Sequence, residues 1–271
     1  MTELSTPASD RVGPIKKSLG FVPATDVTPL FGMKINMEKN VGVNGGGLMW
    51  AMLTLLLLAG CTSTATKKES ADYIAAYVPP FYLAMGPVIN VGELSQALST
   101  QSKSALMQTI RQMESRQHLL RPEAMYVASI RLYEVGEKET ALLWFYRAYY
   151  RSRLFVRLLD ITKDSSERGS ALKKAYGEFH RLVGPYLNGY AGCDLNLWAD
   201  TVHRVEAENA EAPDLTSIFG SDMKVRSPQT WDSANHRVSE YYNRLAKSIE
   251  AQQPRWREMR ALGDLDQRHC R

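Results

Sequence analysis

The stretch Pro122-Glu-Ala-Met-Tyr-Val-Ala-Ser-Ile-Arg-Leu-Tyr-Glu-Val-Gly136-Glu-Lys-Glu-Thr-Ala-Leu-Leu-Trp-Phe-Tyr-Arg-Ala-Tyr-Tyr-Arg-Ser-Arg153 decides the fold class. Pro122 is preset for the first turn of a helix and Glu123 suits its positive end, so a helix is expected from residue 122 to residue 135, stopped by Gly136. A second helix is expected from residue 137 to about residue 159. It is the most apolar and aromatic of the chain, with Ala141, Trp144, Phe145, Ala148, Tyr149 and Phe155 available to pack, and should form the centre of the core. Two helices joined by so short a turn form a hairpin.

Outward from this hairpin the same periodicity recurs. Leu106, Ile110 and Met113 predict a helix over 104–117. Residues 73–89 contain Tyr-Val-Pro-Pro-Phe-Tyr and Met-Gly-Pro, whose prolines favour an extended or turning path with aromatics laid on the body. Downstream, a helix over 165–183 is expected to end at Gly184-Pro185, with a loop over 186–193. Asp194 is placed to cap a helix running to residue 208. Residues 210–226 read as a loop with one short turn near Ile218. Ser227-Pro228 opens a long helix through residue 251, and Pro254 begins a short one. Runs of alternating β-branched residues are scarce, so residues 71–271 are expected to form a mainly α, irregular helical domain.

Upstream lies an apolar run, Leu48-Met-Trp-Ala-Met-Leu-Thr-Leu-Leu-Leu-Leu-Ala-Gly-Cys61. It has the length of a signal peptide and falls short of the roughly 20 residues that span a bilayer comfortably. Its ending, Leu58-Ala59-Gly60-Cys61, resembles a bacterial lipobox. The resemblance implies cleavage before Cys61 and lipid modification of that residue, making 37–60 a lipoprotein signal peptide and 61–70 a Thr/Ser/Lys-rich tether. Thr62 after the cysteine implies sorting to the outer membrane, facing the periplasm. Residues 1–36 are then either upstream of the true start, at Met33 or Met37, or a cytoplasmic tail. The alternative for Cys61 is an uncleaved anchor in which it plays no part.

Residues 1–60 carry five of the 33 basic and four of the 29 acidic side chains, which leaves 28 against 25 in the remainder. So weak a positive balance argues against nucleic acid as partner. With Cys61 lipidated, Cys193 and Cys270 remain as a candidate disulfide in an oxidising periplasm. The alternative is two unrelated thiols.

The hairpin over 122–153, with Ser129, Leu132, Gly136, Ala141, Trp144, Phe145 and Ala148 in place, resembles one tetratricopeptide or Sel1-like repeat. Ser129 and Ala141 would let the helices approach, and Phe145 and Ala148 would pack on the next element. Only one copy is present, and the proline that closes such repeats is missing near Arg153. The resemblance therefore implies a TPR-like hairpin inside a helical domain, and protein binding as its work. A further resemblance, carried by Trp144-Phe-Tyr-Arg-Ala-Tyr-Tyr-Arg-Ser-Arg153 with Gly184-Pro-Tyr-Leu-Asn-Gly-Tyr-Ala191 and Asp194, is to lipid-anchored immunity proteins of type VI secretion effectors. It implies neutralisation of an interbacterial toxin, such as a phospholipase. A scaffold or assembly lipoprotein is the alternative.

Enzymatic chemistry finds little support. His118, His180, His203, His236 and His269 lack the spacing of a helical zinc pair, and Gly-x-Ser-x-Gly, Walker and Gly-x-Gly-x-x-Gly patterns are absent. No cofactor or metal is expected. Glu134 with Glu137, or Asp264 with Asp266, are the carboxylate pairs a glycosidase would need, but such pairs arise by chance in helical chains. The more notable cluster is Arg147, Arg151, Arg153 and Arg157, with Tyr146, Tyr149 and Tyr150 beside it. It reads either as a solvated face or as a basic, Tyr-flanked patch for an acidic protein. The expected partner contacts are Arg147, Arg151, Tyr146 and Tyr150, joined by Asn188 and Tyr190 from the loop.

Overall fold

A computed structural model describes residues 73–159, 167–220 and 223–270. The signal segment, Cys61 and the tether lie outside these residues. The described chain is mainly helical. It opens with a small antiparallel hairpin, β1 (Tyr77–Val78) and β2 (Tyr82–Leu83), turned through a cis Pro79–Pro80 bond. The helices follow as α1 (Ser95–Leu98), α2 (Lys103–Ser115), α3 (Pro122–Glu134), α4 (Lys138–Leu158) and α5 (Glu167–Ala191). Then come α6 (Leu195–Glu208), α7 (Leu215–Phe219), α8 (Trp231–Ala251), α9 (Gln253–Leu262) and α10 (Leu265–His269). Among the described residues no helix is long and apolar enough to cross a membrane.

The α3–α4 turn is closed by Gly136, whose φ of 84° is left-handed and suits glycine. Its N–H donates to Tyr133 O at 3.0 Å and that of Glu137 to Leu132 O at 2.9 Å, the Schellman pattern that satisfies the last carbonyls of α3. Ser129 is fully buried on α3, and Ala141 on α4, so the two helices come close. α4 is the hub and packs against α3, α5, α6 and α8. Trp144, Phe145, Ala148 and Phe155 are fully buried.

The sequence misplaces the end of α5. The helix runs straight through Gly184-Pro185 to Ala191, so residues 186–191 are helical and no loop occupies them. Proline removes the N–H that would have bonded to Arg181 O. Arg181 and Pro185 both lie on the exposed side of the helix, where a freed carbonyl costs least. On the opposite side, Val183 and Leu187 are fully buried, and that burial holds the helix together. α6 begins where expected, with Asp194 Oδ1 accepting from the N–H groups of Asn196 and Leu197, both at 3.0 Å.

The Asn188-Gly-Tyr-Ala-Gly-Cys193 segment also has a structural use that its turn-like composition conceals. A Cβ on Gly189 would stand 2.6 Å from the His269 ring, and one on Gly192 would fall on the Arg260 guanidinium. The glycines thus let the C-terminal helices seat on the end of α5. α10 is not foreseen in the sequence. Cys193 and Cys270 are bonded across this junction, with their Cα atoms 5.6 Å apart. Arg260, buried beneath them, donates to Gly189 O at 2.9 Å and to Asp266 Oδ1 at 2.7 Å.

Candidate partner-binding surface

The structure divides the arginine cluster of α4 by helical phase. Arg147 and Arg151 point inward and are 2% and 4% exposed. Arg147 bridges three helices. Its Nη1 and Nη2 each donate to Glu114 of α2 at 2.7 Å, while Nε and Nη2 donate to Glu208 of α6 at 2.7 Å. Burial alone would lower its pKa, but the bonds and charges of Glu208 and Glu114 outweigh burial and hold it protonated. Burial pushes the Glu208 carboxyl up; Arg147 and Arg204 more than reverse this.

Among the described residues Arg151 has no carboxylate partner. Its Nη1 donates to Gln117 O and Leu120 O, both at 2.7 Å, closing the carbonyls between α2 and α3. Burial, and then the Arg147 charge, lower its pKa to about 10, which leaves it cationic at neutral pH.

The tyrosines expected at a partner interface belong to the interior as well. Trp198 Nε1 donates to Tyr146 Oη at 2.5 Å, and Tyr146 Oη donates to Asn188 Oδ1 at 2.9 Å, linking α6, α4 and α5. Tyr150 Oη donates to Asn235 Oδ1 at 3.0 Å, and Asn235 in turn bonds Asn209 O at 2.9 Å. Tyr190 lies in the last turn of α5, half-buried against the core. Arg147, Arg151, Tyr146, Tyr150 and Asn188 are therefore buried polar residues of the folded chain, and Tyr190 is a half-exposed residue of a helix, on no loop edge. α4 is packed on several sides, which leaves only a narrow strip of it outward.

That strip carries Tyr149, Arg153 and Arg157, spaced four residues apart on α4. Beside it, α8 presents Arg237, Tyr241 and Arg244 at the same kind of spacing. The guanidinium carbon of Arg153 stands 3.8 Å from the centroid of the Tyr241 ring and 5.2 Å from that of Tyr149, and its Nη1 donates to Tyr149 Oη at 2.6 Å. On the other side, His180 of α5 stacks on Tyr149 at 4.3 Å. One turn earlier Gly177 is exposed, and apart from its own neighbours along the helix no atom stands within 4 Å of where a Cβ would be. The α4 strip thus lies between His180 of α5 on one side and Tyr241 of α8 on the other, and this band of side chains is called the furrow below.

The furrow has a surplus of positive charge. Among the described residues, none of Arg153, Arg157, Arg237 and Arg244 is ion-paired with a carboxylate. Arg153 Nε is buried without a hydrogen-bond partner. Burial lowers the pKa of Arg157, and the charges of Arg153 and Arg237 lower it further. Like charges gathered this way repel one another, and an anion laid across them relieves the repulsion. The Tyr and Arg composition is that of interface hot spots.

His180 gives the furrow a pH signature. Burial first, and then the Arg153 charge, lower its pKa to about 4. The folded chain thus resists protonation that the unfolded chain accepts near pH 6.5, so stability is lost as pH falls from 6.5 towards 4. At pH 5 the loss from this group is about 2 kcal/mol. His180→Phe, which keeps the stacking without the titration, is expected to flatten that part of the pH profile in urea melts. An identical slope in both chains would contradict the assignment.

The imagined carboxylate pairs are not brought together for chemistry. Glu134 is held by Arg131 and by the Tyr82 hydroxyl, and burial raises its pKa; Glu137 pairs with Lys103 at 2.6 Å. Asp266 is taken by Arg260. Among the described residues no group of three or more His, Cys, Asp or Glu side chains is arranged to hold a metal ion. A cleft of 420 Å³ lies beside the disulfide, lined in part by Asn196, Gln253, Arg257 and Arg260.

No family model matches this chain, and no solved structure matches it. It is similar to an uncharacterized protein of Haemophilus influenzae, 21% identical over 235 residues, which cover 82% of this chain and 87% of that protein. The functional reading therefore rests on the residues themselves.

Proposed function

We propose that this chain binds an acidic protein partner in the α5–α8 furrow, and that it does so as a lipid-anchored protein of the bacterial envelope, in the outer membrane facing the periplasm. The observation that carries the reading is the set of four arginines without carboxylate partners, interleaved with Tyr149, Tyr241 and His180. The lipobox-like Leu58-Ala-Gly-Cys61 supports the anchoring, since an N-terminus carrying more than one acyl chain attaches stably. The narrower reading is an immunity protein that neutralises an interbacterial toxin of type VI secretion, such as a phospholipase. Its support is the resemblance of residues 144–153 and 184–191 to such proteins. Anchoring suits that task, because it concentrates the binder at the membrane an envelope toxin attacks.

The test is capture of envelope and secreted proteins by the chain purified from bacterial membranes, set against its R157E/R237E variant. Both positions are exposed, so the fold is expected to persist. Reversing two charges in the furrow is expected to weaken binding roughly 100-fold. A toxin whose activity is blocked by the parent chain and spared by the variant supports immunity. Structural envelope components captured through the furrow assign the same surface to a scaffold. Equal capture by both chains contradicts the furrow.

A further inference from the structure

A second surface lies at the other end of the sequence. Residues 73–92 contain no charged side chain. Their burial alternates as a strand requires: Ile74, Ala76 and Val78 face inward at 0%, 1% and 1% exposure, while Tyr73, Ala75 and Tyr77 face out. Across the ladder Tyr82 pairs with Val78 on the inner side, and Leu83 pairs with Tyr77 on the outer side. The chain then turns back, with the Leu83 N–H donating to Val88 O at 3.1 Å. Tyr77, Leu83 and Val88 therefore share the outer side of the hairpin, with Tyr73 continuing the outward alternation and Met85 exposed in the turn between; Tyr73, Tyr77, Met85 and Val88 are exposed by 61%, 63%, 94% and 52%. The inner side is fastened to the body by the Tyr82 hydroxyl donating to Glu134 and by Phe81 lying 6.1 Å from Phe179. Single exposed apolar side chains are ordinary; an uncharged group of them on one held face marks a contact surface.

We infer that this face seats the domain on the lipid bilayer surface. The inference rests on the lipid-anchored reading for one of its arguments: eleven residues separate Cys61 from Tyr73, about 40 Å of extended chain, so an acylated Cys61 keeps the face within reach of the membrane. The other arguments are chemical. Tyrosine settles at the headgroup level, with its ring towards the acyl chains and its hydroxyl in water. Met85 and Val88 have no polar group to desolvate on entering that layer. The absence of charge removes the penalty that would oppose insertion. So small a face holds a membrane weakly by itself, but a tether raises its effective concentration enough for a weak contact to be occupied. Seating would fix the orientation in which the domain meets its partner.

The experiment uses the full chain, expressed in a bacterium, purified from its membranes and reconstituted in phosphatidylethanolamine–phosphatidylglycerol vesicles. The vesicles carry a lipid with a photoactivatable group near the headgroup. Intact mass reports whether Cys61 is acylated, and peptide mass spectrometry locates the lipid adducts. Adducts concentrated on residues 73–92, reduced about tenfold in Y77S/M85S while the chain stays vesicle-bound, are expected. An acylated chain without adducts on 73–92 overturns the inference and leaves the anchoring intact. A chain that is not acylated but carries those adducts supports the lipid-seating face and removes the anchoring.

Discussion

With Cys193 and Cys270 both replaced by alanine, the folded state is expected to lose about 4.5 kcal/mol of stability in the chain-entropy treatment. The bridge spans 77 residues, and opening it returns that whole loop to the unfolded ensemble. For a domain of this size the melting temperature should fall by roughly 10 °C or more. Urea melts of the parent, the parent under reductant and the double variant provide the check, and the last two should agree. The structure also says where the loss begins. Arg260 is held by Gly189 O and Asp266, and its Nη2 lies 3.4 and 3.2 Å from the two sulfurs, so the bridge and the buried arginine fasten α9 and α10 to the end of α5 as one unit. If removing the bridge only frayed α10 and left the global midpoint unmoved, the bridge would be a tail clip and not a closure of the domain.

The second large effect belongs to Arg147. Arg147→Ala withdraws four charge-assisted bonds that join α2, α4 and α6, together with a cation–π contact over Trp144 at 5.1 Å. Breaking such a buried arrangement from one side costs about 3–5 kcal/mol, mostly because the remaining charges lose their compensation. The cost should be recoverable in part. An R147M/E114Q/E208Q chain, which removes both signs of charge together, is expected to be more stable than R147A alone. Urea midpoints for the set decide the matter, and an R147A loss below about 1 kcal/mol would show Arg147 to be an ordinary surface ion pair.

These two anchors show which features were legible in the sequence. The α3–α4 hairpin could be read because its signals are local: Pro122 starts one helix and Gly136 ends it. The Asp194 cap was readable for the same reason, and so was a short turn near Ile218, which the structure extends to the helix α7. Pro185 misled, because proline is a local stop signal whose cost here falls on the exposed side of the helix and is offset by burial of Val183 and Leu187 on the other. The arginine cluster was half legible. The four arginines read as one patch, although helical spacing puts Arg147 and Arg151 on one stripe and Arg153 and Arg157 on another. Which stripe faced water depended on how many neighbours α4 acquires, and α6 and α8 arrive from 50 to 100 residues downstream. His180, Arg237, Tyr241 and Arg244 were missed because they reach the furrow from distant helices. The one available hint was the Arg-Tyr-Arg pattern at 237, 241 and 244, which repeats the helical spacing of Tyr149, Arg153 and Arg157. The hairpin face was foreseen only as aromatics laid on the body; Phe81 and Tyr82 do so, while Tyr73 and Tyr77 face outward.

The furrow is the central claim, and in-cell photo-crosslinking tests it most directly. A photoreactive amino acid at Gly177, where the structure leaves open space beside His180, is compared with the same group at the exposed Leu262 near the C-terminus. The expected result is a crosslink from position 177 to one protein with an acidic surface, absent from position 262 and lost when R157E/R237E is added. A partner crosslinked from position 262 but not from 177, or one that survives the charge reversal, would contradict the account.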